Sequence, residues 1–232
     1  MTRYEIADLK VDMAVSGRTK QQAAAYAAPA LGQPDIVLPQ DTDRFLRCYP
    51  QIKDRDMAEY IATGAWFARK LLDHRGFQLH ASAVTLEDRA YLFSAFSGVG
   101  KSTHAEKWIR LFGARCLNDD KPALRLVDGL WRAYGTPWSG KHDLSTPEGA
   151  PLGGIAFLRR GEENRISPLS PAQAVPLLLG QVSRAHPEAQ LEQLLALADQ
   201  LLRSVPLWEL TCRNDDDAAY ISHAAMTRKP VV

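Results

Sequence analysis

Hydrophobic and polar positions alternate along the first part of the chain and cluster at helical spacing further on. Tyr4–Val15 alternates well enough for a strand, and Asp35–Leu38 gives a second short one between Pro34 and Pro39. The Ala- and Gln-rich run Lys20–Ala28 predicts a short helix stopped before Pro29. From Met57 to Asp73 apolar residues recur over most of the helical circumference, with Asp54 or Asp56 as the cap, so this helix is expected to be well buried. Phe77–Leu86 and Ala90–Phe93 form two strands joined at the polar turn Glu87-Asp88, which predicts a hairpin. A helix over Thr103–Phe112 stops at Gly113. The strand Arg115–Leu117, a hairpin of Ala123–Val127 with Leu130–Tyr134, and the strand Gly154–Leu158 follow. The remainder reads as helices over Pro171–Leu179, Glu188–Leu202 and Asp215–Met226, with a strand at Pro206–Cys212 before the last of them.

Helices and strands thus alternate through most of the 232 residues, which predicts an α/β fold. Residues 1–50 differ in texture and read as a small β-rich N-terminal layer, with residues 51–232 as the main domain. A net charge of +1 without a basic block gives no reason to expect nucleic acid. The charged N-terminus does not resemble a signal peptide, and the longest apolar run is too short for a bilayer, so no membrane partner is expected. Cys48, Cys116 and Cys212 are widely spaced and read as reduced packing thiols, which suits a cytoplasmic protein.

The chemistry concentrates where the second hairpin strand ends. Ala95-Phe-Ser97-Gly98-Val99-Gly100-Lys101-Ser102-Thr103 joins a strand to a helix in the layout of a phosphate-binding loop, with Ala95 in place of the first glycine. Backbone N–H groups of such a turn face nucleotide oxyanions, and the helix N-terminus adds its positive end. Lys101 can reach the β- and γ-phosphates, and the Ser102 hydroxyl can ligate Mg²⁺. A helix and a strand later comes Leu117-Asn-Asp119-Asp120-Lys-Pro, and the carboxyl end of such a strand lies beside the nucleotide. One carboxylate can hold Mg²⁺ and the other can accept a hydroxyl proton; neighbours on an extended backbone point to opposite sides. Phosphoryl transfer also needs cationic charge, which Arg159 or Arg160 at the end of a strand can supply. Gly135–Lys141 reads as an acceptor-side loop, with Trp138 as a pocket wall, Ser139 as a donor and Lys141 as positive charge. Gln181 and Arg184, one helical turn apart, are expected on a solvated face.

Ser97-Gly-Val-Gly-Lys-Ser, the helix after it, Gly113-Ala-Arg-Cys-Leu-Asn-Asp-Asp and the strand His80-Ala-Ser-Ala-Val together resemble the kinase domain of HPr kinase/phosphorylase, within a wider group that includes ATP-dependent phosphoenolpyruvate carboxykinase. The resemblance covers roughly residues 77–160. It implies an ATP-dependent kinase built on a mixed β-sheet flanked by helices and acting on a hydroxyl, either a serine of a peptide or protein or a small hydroxy compound. Carried over, Asp119 is the general base, Asp120 the metal-side carboxylate, and His80 lies near the base, with the two acids exchangeable. The cofactors it implies are ATP and Mg²⁺, and self-association follows by analogy alone. The alternatives are a non-catalytic nucleotide-binding regulator and a carboxykinase-like enzyme.

Overall fold

A computed structural model describes residues 1–140, 142–183 and 188–228. The strand expected over Tyr4–Val15 is a hairpin of β1 (Thr2–Ile6) and β2 (Leu9–Met13). Its turn residues Ala7 and Asp8 both have φ of 56°. Neither is the glycine that usually marks such a turn, so the sequence carries no signal for it. β3 (Ile36–Val37) adds to β2 in parallel. The helix expected from Lys20 starts earlier, as α1 (Gly17–Ala23), and ends in a 3-10 turn at Tyr26. A short α2 (Thr42–Cys48), capped by the Asp41 carboxylate, was not predicted. In α3 (Arg55–Asp73) it is Asp54 that caps, accepting from the N–H groups of Asp56 and Met57. The three-stranded sheet has no core of its own. Tyr4, Ile6, Val11 and Met13 pack with Tyr60, Phe67 and Leu71 of α3 and with Trp138.

The large sheet contains β4 (Gly76–Gln78), β5 (Ala81–Leu86), β6 (Arg89–Ser94), β7 (Arg115–Asn118), β8 (Ala123–Val127), β9 (Leu130–Tyr134), β10 (Gly149–Arg160), β11 (Arg165–Pro168) and β12 (Leu207–Cys212). Their order is β4-β8-β9-β10-β6-β5-β7, and β12 joins β10 to β11. The strand expected over Phe77–Leu86 breaks at Leu79-His80, because β4 pairs with β8 whereas β5 pairs with β6 and β7. β10 is the spine. Its first residues pair antiparallel with β9, and after a register shift between Leu152 and Gly154 it runs parallel to both β6 and β12. Gly154 permits this approach: a Cβ there would lie 2.3 Å from the Trp208 ring.

β5 is antiparallel to both β6 and β7, so β6, β7, β10 and β12 all point the same way. Their C-terminal ends, and the start of β5, share one rim. Helices cover both faces. Ala174 and Leu178 of α5 (Pro171–Gln181) with Leu194 and Leu201 of α6 (Leu191–Ser204) pack on one side. Ala105 and Trp108 of α4 (Lys101–Phe112) with Ala219 and Met226 of α7 (Asp216–Met226) pack on the other. Double coverage explains why β6 and the second half of β10 are nearly continuous apolar runs.

Trp108 fixes α4 to the sheet. It is fully buried, meets Phe93 edge-on at 5.1 Å, and donates its indole N–H to Ser222 Oγ at 2.9 Å. Trp108→Ala is expected to cost about 3–5 kcal/mol in urea unfolding, as large aromatic truncations in cores do. A loss under about 1 kcal/mol would show that α4 is held by other contacts.

Candidate functional site

The rim begins at the loop after β6. Gly98 and Gly100 have φ of 80° and 127°, values that L side chains rarely adopt, and a Cβ at either would meet nothing within 4 Å. These glycines are required by backbone conformation, and the space beside them is open. Ala95, at the position of the missing glycine, packs in the apolar cluster with Phe93 and Ala105. Gly100 gives α4 no side-chain cap, so the first-turn amides of Lys101, Ser102 and Thr103 form an electropositive edge. Ser97 and Gly98 are exposed, and Val99 is half-buried. Lys101 is buried, and its Nζ donates to the Ala95 carbonyl at 3.1 Å, closing the loop on itself. Burial lowers the proton affinity of Lys101; the charge of Asp120 opposes this and that of Lys121 adds to it. Ser102 Oγ lies 3.4 Å from Ser82 Oγ, which also donates to the Asp119 carbonyl at 3.1 Å.

Asn118, at the end of β7, shapes the acidic turn. Its Oδ1 accepts from the N–H groups of Asp120 (3.0 Å) and Lys121 (2.7 Å), and its Nδ2 donates to the Thr136 carbonyl at 3.0 Å. The two acids diverge, as expected of neighbours. Asp119 is buried; Oδ1 accepts from the Gly140 N–H, and Oδ2 meets no hydrogen-bond partner among the described residues. Burial raises its pKa and the charge of Asp120 adds to that, while the backbone N–H groups of Gly140 and His142 and the His142 ring oppose it. Asp120 is half-buried on the rim. His80 Nε2 lies 3.2 Å from its Oδ1 and Lys121 Nζ 3.8 Å from its Oδ2. Burial works to raise its pKa, but the His80 hydrogen bond and the charges of Lys121, His80 and Lys101 outweigh it, so Asp120 stays ionised. The break between β4 and β5 is what turns His80 to this position. Its Nδ1 is 3.0 Å from Gln181 Oε1.

The cations separate as well. Arg160 donates to the carbonyls of Gly98 and, at 3.4 Å, of Val99, whereas Arg159 turns away to Glu209 at 3.2 Å. Residues 135–140 depart from expectation. Trp138 is not a pocket wall: it is buried, stacks on Phe67 at 4.8 Å and donates to Thr63 Oγ1 at 3.1 Å. Ser139 does not face a ligand: it is buried and its hydroxyl donates to Gln22 at 3.0 Å. Gly135 allows close approach to protein, since a Cβ would lie 1.9 Å from the Thr146 carbonyl. Lys141 and Arg184 lie outside the described residues. Gln181 is not solvated but buried against His80.

One cleft lies against the loop and a second lies beside Asp120. The first, of about 500 Å³, is lined by Gly98, Thr103, Lys107, Arg160, Arg213 and Asn214. The other, about 260 Å³, is lined by His80, Asp120, Lys121 and Gln181 among others. Arg213, Asn214, Lys107 and Ser82 were not anticipated. Arg213 and Asn214 follow a strand parallel to β10, so the rule that ligands sit at carboxyl ends of strands would have pointed to them. The open glycine cradle, uncapped helix and buried lysine fit a polyphosphate. Among the described residues no group of three or more His, Cys, Asp or Glu side chains could hold a metal. Mg²⁺ bound largely by phosphate and water needs no such cage, and Ser102 Oγ and the Asp120 carboxylate are donors available to it.

No family model matches this chain, and no curated protein matches it. Among solved structures, the HPr(Ser) kinase/phosphatase from Coxiella burnetii is similar at 10% identity, over 64% of this chain and 92% of that one, with a TM-score of 0.36. This is a distant structural relationship and assigns no residue. No helix among the described residues is long and apolar enough to cross a membrane.

His104, in the first turns of α4, is buried beneath the larger cleft, with Nε2 2.9 Å from Ser222 Oγ. Burial, aided by Lys107, pushes its pKa down from 6.5 to about 3. The unfolded chain therefore takes up a proton that the fold resists. The contribution of neutral His104 to stability is complete above pH 6.5 and declines as pH falls toward 3. Urea midpoints measured across that window are expected to fall less steeply in His104→Gln than in the parent. Parallel slopes would place the acid sensitivity elsewhere.

Proposed function

We propose that the chain is a Mg·ATP-dependent phosphotransferase that moves the γ-phosphoryl group to a hydroxyl. The observation that carries this reading is the convergence, on one rim, of the uncapped α4 N-terminus, the buried Lys101 and the Asp120–His80 pair. The phosphates would lie over the amides of Gly98–Thr103, with Lys101 exchanging its bond to the Ala95 carbonyl for one to phosphate oxygen. Ser102 Oγ would hold Mg²⁺ with phosphate and water. The larger cleft suits the nucleoside end. The smaller one, beyond Asp120, suits a hydroxyl acceptor: a serine side chain or a small hydroxy compound.

The acceptor's proton falls to Asp120 in this reading, with His80 orienting the carboxylate and Gln181 orienting His80. Asp120 faces both Lys101 and the cleft, whereas Gly140 covers Asp119. Of the exchange left open by the sequence, this reading keeps the half that gives Asp120 the proton; Asp119, covered by Gly140, is not offered to the metal. Phosphoryl transfer through a loose transition state asks mainly for alignment and charge, which an ionised carboxylate between two lysines provides. Arg160 is placed to brace the loop and, on releasing the Gly98 carbonyl, to add charge beside the phosphates.

The test is mass spectrometry of Mg·ATP reactions with a panel of hydroxy compounds and serine peptides. Lys101→Ala is expected to lose at least ~10²–10³ in rate, the usual cost of one transition-state donor. Asp120→Asn should abolish transfer and leave nucleotide binding intact, with Asp119→Asn the milder variant. The reverse ranking returns the proton to Asp119. Tight ATP binding without transfer to any acceptor would reduce the protein to a nucleotide-binding regulator.

A further inference from the structure

We propose that α1 of the N-terminal layer is a positioning element for the acidic turn, with Arg18 and Gln22 as the positioning residues. The inference rests on the reading of Asp119-Asp120 as the reactive turn. Arg18 and Gln22 stand one turn apart on α1, more than a hundred residues before the stretch they hold. The Arg18 guanidinium reaches the Asp143 carboxylate at 2.6 Å and the Gly140 carbonyl at 3.5 Å. Gln22 donates to the same carboxylate and accepts from Ser139 Oγ at 3.0 Å. Tyr60 completes the clamp, donating its hydroxyl to the Ser139 carbonyl at 2.6 Å while its ring lies 4.7 Å beneath Arg18.

The clamped stretch in turn holds the acids. The Gly140 N–H donates to Asp119 Oδ1, the Asp119 N–H donates to the Leu144 carbonyl at 3.1 Å, and the Thr146 N–H donates to the Leu117 carbonyl at 3.1 Å. Tyr26, just after α1, donates to the Thr146 carbonyl at 2.9 Å. The contact is close: a Cβ at Gly140 would sit 3.1 Å from Asp119 Oδ2. A chain of hydrogen bonds therefore runs from α1 through Ser139, Gly140 and Asp143 to Asp119, and Asn118 fixes the position of Asp120 relative to it. This gives the N-terminal layer a task in the reaction although none of its residues lines the cleft against the phosphate loop or the one beside Asp120. Arg18 and Asp143 are partly exposed, and an exposed ion pair adds little to stability, so variants there are expected to fold.

The experiment uses the full chain as Arg18→Ala, Gln22→Ala and Arg18→Lys. The first readout is the Gly140 amide resonance in a ¹⁵N–¹H spectrum. A hydrogen bond to a carboxylate holds this proton downfield in the parent, and it should move upfield in both alanine variants and stay in place in Arg18→Lys. The second is phosphate release from Mg·ATP, with water as acceptor. The alanine variants should lose about ten- to hundredfold in kcat, the scale of a small misplacement of a reacting group, with KM for ATP within about twofold. Arg18→Lys should recover most of that loss. An unmoved Gly140 resonance, an unchanged kcat or a raised kcat would each overturn the proposal; a rise would mean that α1 restrains the site. A parent chain that transfers no phosphate defeats the kinase reading alone, since the Gly140 signature still decides whether α1 holds the turn.

Discussion

Everything at the site depends on β10 running parallel to both β6 and β12. Parallel pairing brings carboxyl ends of strands together, and it requires helices to return the chain across the faces of the sheet. The loop after β6 and Arg160 at the end of β10 meet on the rim for this reason. β5 extends the arrangement: as an antiparallel spacer it turns β7, and so the acidic turn, the same way. It also starts on that rim, which brings His80 to Asp120.

Burial decides the electrostatics of the rim more than distance does. Lys101 and Asp119 are both buried polar groups with little hydrogen bonding to spare, and each is pushed toward its neutral form. Asp120 has the same desolvation to overcome but faces His80, Lys101 and Lys121, and it remains charged. The result is one ionised carboxylate beside a cationic loop and one carboxylate covered by Gly140. The covered one lies at the junction between α1's contacts and the rim.

Much of this was legible from local pattern. Strong signals survived: the cap at Asp54, the Asp128-Gly129 hairpin, the stop at Gly113 and the strand-loop-helix layout around Lys101. Errors arose where long-range pairing overrode local periodicity. Nothing between Phe77 and Leu86 shows that residues 76–78 pair with β8 while residues 81–86 pair with β6 and β7. Trp138 and Ser139 sit among small residues in a stretch that reads as a binding loop, yet α3 and α1 claim both side chains. Gln181 is a polar residue beyond the apolar run of its helix, and nothing local shows that His80, a hundred residues earlier, packs against it. Asp119 and Asp120 are indistinguishable in sequence; Gly140 over the one and His80 with Lys121 beside the other make them different.

The most direct measurement is a crystal structure of the full chain with Mg²⁺ and a non-hydrolysable ATP analogue. The account predicts the triphosphate over Gly98–Thr103, Lys101 Nζ released from the Ala95 carbonyl and bonded to phosphate oxygen, and the terminal phosphate pointing toward Asp120. An analogue bound elsewhere, or a loop still closed by the Lys101–Ala95 contact at saturating ligand, would contradict it.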